Sequence, residues 1–519
     1  MIGRRKRPLN VDTEVVFAEP VWDHTTAAWR EIDSRISENH LAREVDAAVD
    51  QLDLGELAAS YEGRGTPPLR PDLMLKLVMY ERNCGKPSPA DWFRDVREND
   101  AVKWLTFGLQ PSRAACYEFR DRIAPFLDSW NQQVLEEAIE AELTAAARGA
   151  SDGTTLEACA SRHTLVRDKT LQRRQGELDE AIAEDERGEP PQAMPRWMAR
   201  FPESRLQQRE GYQRARRRMD ELQEQNRGRR ASKRQDPEKI VVSTSDPDAA
   251  LGRDKFKVFR PLYNAVLMQD LDSPFVLGYE AFNRAGDSGT LEPLLERTTA
   301  LTGRKPEVVL ADSTFAAVSD LLLCETHGIT LYAPPGENDY SEQNQRRPKT
   351  NQFTGLPKTE FAWLEDQQTY RCPEGHALQL ERCQRVPRAN GQSIGSRLFR
   401  CPAEHCRACP RRAVCTPNPD KGRSVSRLDN EELLEALRER MQTDEAKALY
   451  RQRAAHVELR FADLKQHRKL RRLTSRSLPR ARAEVAAAVL THNLLTLHRM
   501  LSKCHDAPKT TRNLEKIAA

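Results

Sequence analysis

"PEVVLADS", residues 306–313, is a short apolar run that closes on an acid, Asp312. It reads as a strand, and the helical stretches "SGTLEPLLERTTALTG" before it and "TFAAVSDLLLCETHG" after it, followed by "ITLYAPP", give alternating helix and strand. Upstream, strand signals come in quick succession in "KIVVSTSD", "KVFRPLYNAVLMQD" and "PFVLGYEAF". Strands first and then alternation predict an α/β fold: a mixed sheet with helices packed on its faces. A further strand is predicted in "GASDGTTL", residues 149–156, ending in a turn and carrying Asp152. Acids at the carboxyl ends of strands occupy the crevice where open α/β sheets place ligands.

The chain has 519 residues, more than one hydrophobic core usually holds, so several domains are expected. Residues 1–148 read as an all-helical domain, with apolar spacings of three and four in "PDLMLKLVMYERNCG" and "SWNQQVLEEAIEAELTAAA". Pro71 suits a first helical position, Gly85 a helix end, and Ser112 an N-cap. Three short helices there are compatible with a helix-turn-helix offering Arg113 and Arg120 to DNA, or equally with a packed bundle. The sheet begins in 149–335, interrupted by a charge-dense insertion, 162–239, that reads as a helical hairpin or partly disordered segment. Residues 336–428 hold a cysteine cluster and form a second insertion; 429–500 return to the core with a long basic helix and a final apolar one; 501–519 form a tail. Neither a membrane-length apolar run nor an apolar segment after "MIGRRKRPLN" is present, so no membrane association and a cytoplasmic location are expected.

Net charge is only +4, but residues 451–482 carry eleven Lys or Arg against two acids, Glu458 and Asp463, a local +9. Such a field suits nucleic acid. On this helix Tyr450, Val457, Phe461 and Leu464 recur as a buried stripe, and Glu458 and Lys465, seven residues apart, are expected along its border. The basic side chains would hold a phosphate backbone while Glu458 joins Asp152 and Asp312; three hard oxygen donors close together call for Mg²⁺ or Mn²⁺. Taken singly, each acid has an ordinary structural role: Asp152 in a turn, Asp312 as a helix cap, Glu458 as an intrahelical partner of Arg451 or Arg453.

Cys372, Cys401, Cys406, Cys409 and Cys415 fall within 44 residues. The two-residue gap between Cys406 and Cys409 lets both thiolates reach one Zn²⁺, and the flanking cysteines, or His376 or His405, could complete a tetrahedron. Reduced cysteines in a small packed module are the alternative.

"SDGTTLEA", "VVLADSTF" and "YRQRAAHVELRFADLK" resemble the three blocks of bacterial insertion-sequence transposases of the DDE type. The last block resembles that family's Tyr-Arg-Glu-Lys signature, met here by Tyr450, Arg453, Glu458 and Lys465. "RPDLMLKLVMYERNCGKPSPADWFRDVRENDAVKWLTFGL" resembles the family's N-terminal helical domain, and "STSDPDA" and "THNL" resemble two further blocks. Arg453 stands about 140° around a helix from Glu458, whereas Arg451 shares its face better. The resemblance implies an RNase H-like core with Asp152, Asp312 and Glu458 as catalytic ligands of two Mg²⁺ or Mn²⁺ ions. Implied too is in-line phosphoryl transfer without a covalent protein intermediate. Double-stranded DNA, both element ends and target, would be the partner, bound by Tyr450, Arg451, Arg453, Lys465, Lys469, Arg471 and Arg472, with a homodimer pairing two ends. The other readings are a non-catalytic DNA-binding protein derived from a transposase, and a helical scaffold that binds RNA or acidic proteins.

Overall fold

The structure, a computed structural model, describes residues 15–62, 66–229, 231–254, 257–335, 355–387, 393–416, 418 and 420–506. The basic N-terminal decapeptide, part of the cysteine-rich segment and most of the C-terminal tail lie outside them. Strands in chain order are β1 (Arg148–Glu157), β2 (Leu165–Arg167), β3 (Val241–Ser243), β4 (Ala250–Arg253), β5 (Phe259–Asp270), β6 (Val276–Phe282), β7 (Val308–Leu310) and β8 (Thr330–Tyr332). Then come β9 (Ala362–Leu364), β10 (Thr369–Arg371), β11 (Gln379–Pro387), β12 (Ser393–Arg400) and β13 (Ser424–Leu428). The N-terminal helices are α1 (Ala27–Arg35), α2 (Leu41–Val49), α3 (Gly55–Ala59), α4 (Pro71–Asn83), α5 (Pro89–Glu98), α6 (Asp100–Leu105), α7 (Arg113–Ile123) and α8 (Leu127–Glu140). Beyond them lie α9 (Asp168–Glu186), α10 (Pro202–Gly228), α11 (Leu291–Thr302), α12 (Val318–Thr326), α13 (Ala403–Ala408), α14 (Arg412–Cys415), α15 (Glu431–Gln442), α16 (Asp444–Ala462) and α17 (Leu478–Asp506).

The main sheet runs β4-β5-β1-β7-β8, with β6 also on β5. Its β1–β5 and β5–β6 ladders are antiparallel, and its β1–β7 and β7–β8 ladders parallel. The mixed sheet flanked by helices, with a helical region ahead of it, is consistent with an RNase H-like fold. Strand β5 is buried on both faces from Pro261 to Asp270, which explains why its apolar residues Ala265–Met268 run without alternation: a central strand covered by helices has no solvent face to alternate with.

The N-terminal helices share this core. Trp92, Trp104 and Trp130 belong to one apolar cluster with Val266, Leu277 and Val489. Helix α7 starts at Ser112, whose hydroxyl accepts from Ala115 N–H at 3.1 Å, and α4 has Pro71 at its first position and Gly85, φ +73°, just past its end. Helix α17 pins β6: Asn493 accepts from Val276 N–H (3.0 Å) and donates to Val276 O (2.9 Å).

Two expectations are corrected. "KIVVSTSD" contributes β3, which pairs with β2 rather than joining the main sheet, because Ile240 and Val242 are buried in the separate core of the α9–α10 hairpin with Leu171, Tyr212 and Met219. The long basic stretch is not one helix. It breaks at Thr443, which is extended and caps α16 through Ala446 N–H (3.2 Å), and it ends in a π turn, Asp463–His467.

Replacing Asn493 by Ala leaves the N–H and C=O of Val276 buried and unpaired, and is expected to destabilise the fold by about 3 kcal/mol. A lower urea midpoint at unchanged slope would show it.

Candidate active site

Parallel pairing places Ala150 of β1 opposite Leu310 of β7. Two residues further along each chain stand Asp152 and Asp312. The alternation of a strand turns residues two apart to the same face, so the register itself sets these acids side by side. Asp287, in the connection from β6 to α11, completes the group: one carboxylate oxygen from each of Asp152, Asp287 and Asp312 lies within 4.8 Å of the others, all three half-buried.

Asp152 lies within β1 rather than at its end, a correction to the turn expected at Gly153. Antiparallel pairing with β5 continues to Glu157 opposite Leu262 and keeps the segment extended. Gly153 serves a different purpose, since a Cβ there would overlap the Asp287 carboxylate. Asn264 of β5, fully buried, donates to Asp287 Oδ1 at 2.6 Å and fixes that carboxylate over the strand. Asp312 also takes the capping role considered for it, accepting from Thr314 N–H at 2.8 Å.

Burial raises the Asp152 carboxyl above its ordinary range; Arg453 and the Gly153 N–H pull it back, while Asp312 and Asp287 push it up. Burial likewise raises Asp287, opposed by the Asn264 hydrogen bond, with Asp312 adding to the rise. At separations near 4–5 Å, two carboxylates repel by about 4 kcal/mol at an effective dielectric near 20. The compensating charge present is Arg453, whose Nη2 lies 3.1 Å from Asp152 Oδ1 and which also donates to Ser151 O.

Helix α16 delivers that arginine. Val457 is buried against Ala150, Leu271 and Leu310, and the half-buried Tyr450 stands near Asp312 and Arg453. Counting helical angles from Glu458 favoured Arg451, which is exposed; it is Arg453 that faces the sheet. Glu458 is exposed, not on the border of the buried stripe, and lies outside the three-carboxylate group. The π turn explains why Lys465 does not share its setting. The wider turn breaks the seven-residue repeat and buries Lys465, which donates to Thr154 Oγ1 and, at 3.0 Å, to Thr155 O. The following segment runs beside the end of β1, Glu157 N–H donating to Arg471 O (2.9 Å) and Leu473 N–H to Glu157 O (2.8 Å). Arg471, Arg472 and Lys469 are exposed along it. On α7, Arg113 is exposed, whereas Arg120 pairs with Asp121 (2.7 Å) and lies over Tyr117.

Asp287 and Asn264 were missed in the sequence. The available signal was a glycine directly after an acid inside a strand, which marks a close approach by another group as well as a turn.

Residues 371–498 match the family model described as "Transposase DDE domain", and residues 30–122 match "Transposase domain (DUF772)". Together they support a transposase enzyme, a class that implies DNA binding and divalent metal ions. No curated protein matches the chain. The donor set fits such ions: hard carboxylate oxygens, mutually repelling, with Gly153 giving the Asp287 carboxylate room to lie over the strand. No helix among the described residues is long and apolar enough to cross a membrane.

Gly153→Ala is expected to displace Asp287 while leaving Asp152 on its strand. In a thermal-shift titration, MgCl₂ should raise the unfolding midpoint of the wild type distinctly and that of Gly153→Ala much less.

Proposed function

We propose that the chain is the DDE transposase of a bacterial insertion sequence, binding the ends of its own element and catalysing Mg²⁺-dependent strand cleavage and transfer. The observation that carries this reading is the juxtaposition of Asp152 and Asp312 by the β1–β7 register, with Arg453 of α16 laid on Asp152.

Asp152 and Asp312 would hold the divalent ions, with Asp287 as the neighbouring carboxylate. Bound there, Mg²⁺ or Mn²⁺ supplies an activated water or 3′-hydroxyl and stabilisation of the departing oxygen. Glu458 is the third acid of the resemblance. Exposed, and without a hydrogen bond or ion pair among the described residues, it is free to change rotamer toward the site when DNA binds. Arg453 then exchanges Asp152 for a phosphate oxygen, an anion it can grip with two donors. The phosphate contacts fall to side chains on the surface: Arg113, Arg451, Lys469, Arg471 and Arg472. Tyr450 and Lys465 border the carboxylates and position the terminal phosphate, and Arg120 lies beside Arg113 on the N-terminal helix. Pairing two element ends requires two copies of the chain on DNA.

The test is a labelled element end incubated with purified protein and Mg²⁺. Nicking at the terminus is expected, and Asp152→Asn, Asp312→Asn and Glu458→Gln should each lower it by about 100-fold or more while leaving end binding within a few-fold. End-specific binding without nicking by the wild type would identify a non-catalytic DNA-binding derivative. Steep salt dependence without preference for element ends would point to the helical scaffold instead.

A further inference from the structure

The described part of the segment between β8 and α15 folds around a small core of its own. Phe361, Tyr370, Leu378, Phe399 and Val425 are buried together with Cys401, Cys406 and Cys415, with Leu356, Trp363 and Cys372 packed against them. Chains with so little apolar interior usually need a cross-link or a metal to hold one conformation. None of the described cysteines is in a disulfide.

Local backbone geometry brings five thiols to one place. After β10 the chain turns tightly at Cys372: Cys372 N–H donates to His376 O and Gly375 N–H to Cys372 O, both at 2.8 Å, with Gly375 at φ +86°. After β12, Cys401 N–H donates to Arg423 O at 2.8 Å, and Gly422, φ +74°, lets the two segments close, since a Cβ there would collide with Cys401 O. Helix α13 carries Cys406, whose sulfur accepts the Arg423 backbone N–H at 3.4 Å; Cys409 follows it, and α14 carries Cys415. All five line one cavity of about 20 Å³, room for an ion or a single water. On its wall the His376 and His405 rings stack at 4.0 Å.

Burial pushes the Cys415 thiol up, Arg423 draws it down, and Cys406, Cys409 and Cys372 oppose its ionisation. Cys401 is raised by burial and by two of these neighbours, Cys406 and Cys372. All five sulfurs thus face one small cavity, with Cys401 in hydrogen-bond contact with Cys406 and Cys372. Soft sulfur donors gathered on one cavity, with the Cys406–Cys409 spacing, suit Zn²⁺ in tetrahedral coordination.

We propose that four of the five thiols of Cys372, Cys401, Cys406, Cys409 and Cys415, the Cys406–Cys409 pair among them, bind one structural zinc ion. No three of the five sulfurs lie within 4.8 Å of one another among the described residues, so binding draws α13 and α14 in toward the knuckle at Cys372. The four thiols give up their protons as the metal enters, which couples the fold of the module to zinc and pH. Arg423 offsets part of the negative charge that four thiolates leave on a divalent ion. The site stands or falls independently of the DNA chemistry proposed above.

The experiment is elemental analysis of the full-length protein purified from zinc-supplemented cells without chelator. One zinc per chain is expected for the wild type, and loss of zinc for Cys406→Ser and Cys409→Ser; of Cys372→Ser, Cys401→Ser and Cys415→Ser, the one that keeps its zinc names the thiol that does not ligate. Where those variants do not fold, the wild type still decides the matter. A mercurial reagent should release the zinc as four thiols react, and Co²⁺ in its place should give the thiolate charge-transfer and visible bands of a tetrahedral centre. Wild-type protein that contains no zinc and gives no such cobalt spectrum overturns the site. Zinc kept in full by both Cys406→Ser and Cys409→Ser overturns the ligand assignment.

Discussion

The parallel register between β1 and β7 is the constraint on which the site depends. With Ala150 opposite Leu310, Asp152 and Asp312 follow side by side; a slip of one residue would turn one of the acids to the opposite face of the sheet. That register is held from several sides. Strand β5 clamps β1 antiparallel along nearly its whole length, β8 extends the parallel ladder beyond β7, and Val457 of α16 closes over Ala150, Leu271 and Leu310. The same packing that buries Val457 directs Arg453 onto Asp152, so the core and the charge balance of the site are set together.

Arg453 gives the arrangement its electrostatic logic. Three half-buried carboxylates repel one another, and in the free protein a guanidinium relieves the strain at Asp152. A guanidinium suits that task because it exchanges partners without changing its own charge, whereas a divalent cation has higher charge density and competes for the same oxygens. The polar supports lie one layer further out: Asn264 holds Asp287, and Asn493 and His492 of the last helix tie it to β6 and the turn before it, His492 staying neutral because burial and Arg460 hold its pKa down at about 3.

Much of this was legible in the sequence, and for identifiable reasons. Buried central strands announce themselves by consecutive apolar residues, as in Ala265–Met268 of β5, and helix ends by residues such as Ser112, Pro71 and Gly85. Asp312 stood out because it closes the apolar run "VVLA", and Asp152 because it falls in the strand-like "GASDGTTL" where the helical N-terminal pattern ends. What stayed hidden depends on partners distant in sequence. Gly153 reads as a turn until β5 is seen to pair across it, and Asp287 reads as loop until Asn264 is seen beneath it. The setting of Lys465 relative to Glu458 could not come from a helical wheel, because a π turn begins between them and the wheel assumes an even 3.6-residue step. Likewise β3 has a strand composition, but its partner is β2 under the charged hairpin.

The central claim is that Asp152 and Asp312 jointly hold a divalent cation. Anomalous diffraction from crystals of the protein soaked in Mn²⁺ addresses it directly. The account expects a peak between those two carboxylates, within coordination distance of both and with Arg453 moved off Asp152; Mn²⁺ bound elsewhere, with the Arg453–Asp152 pair intact, would contradict it.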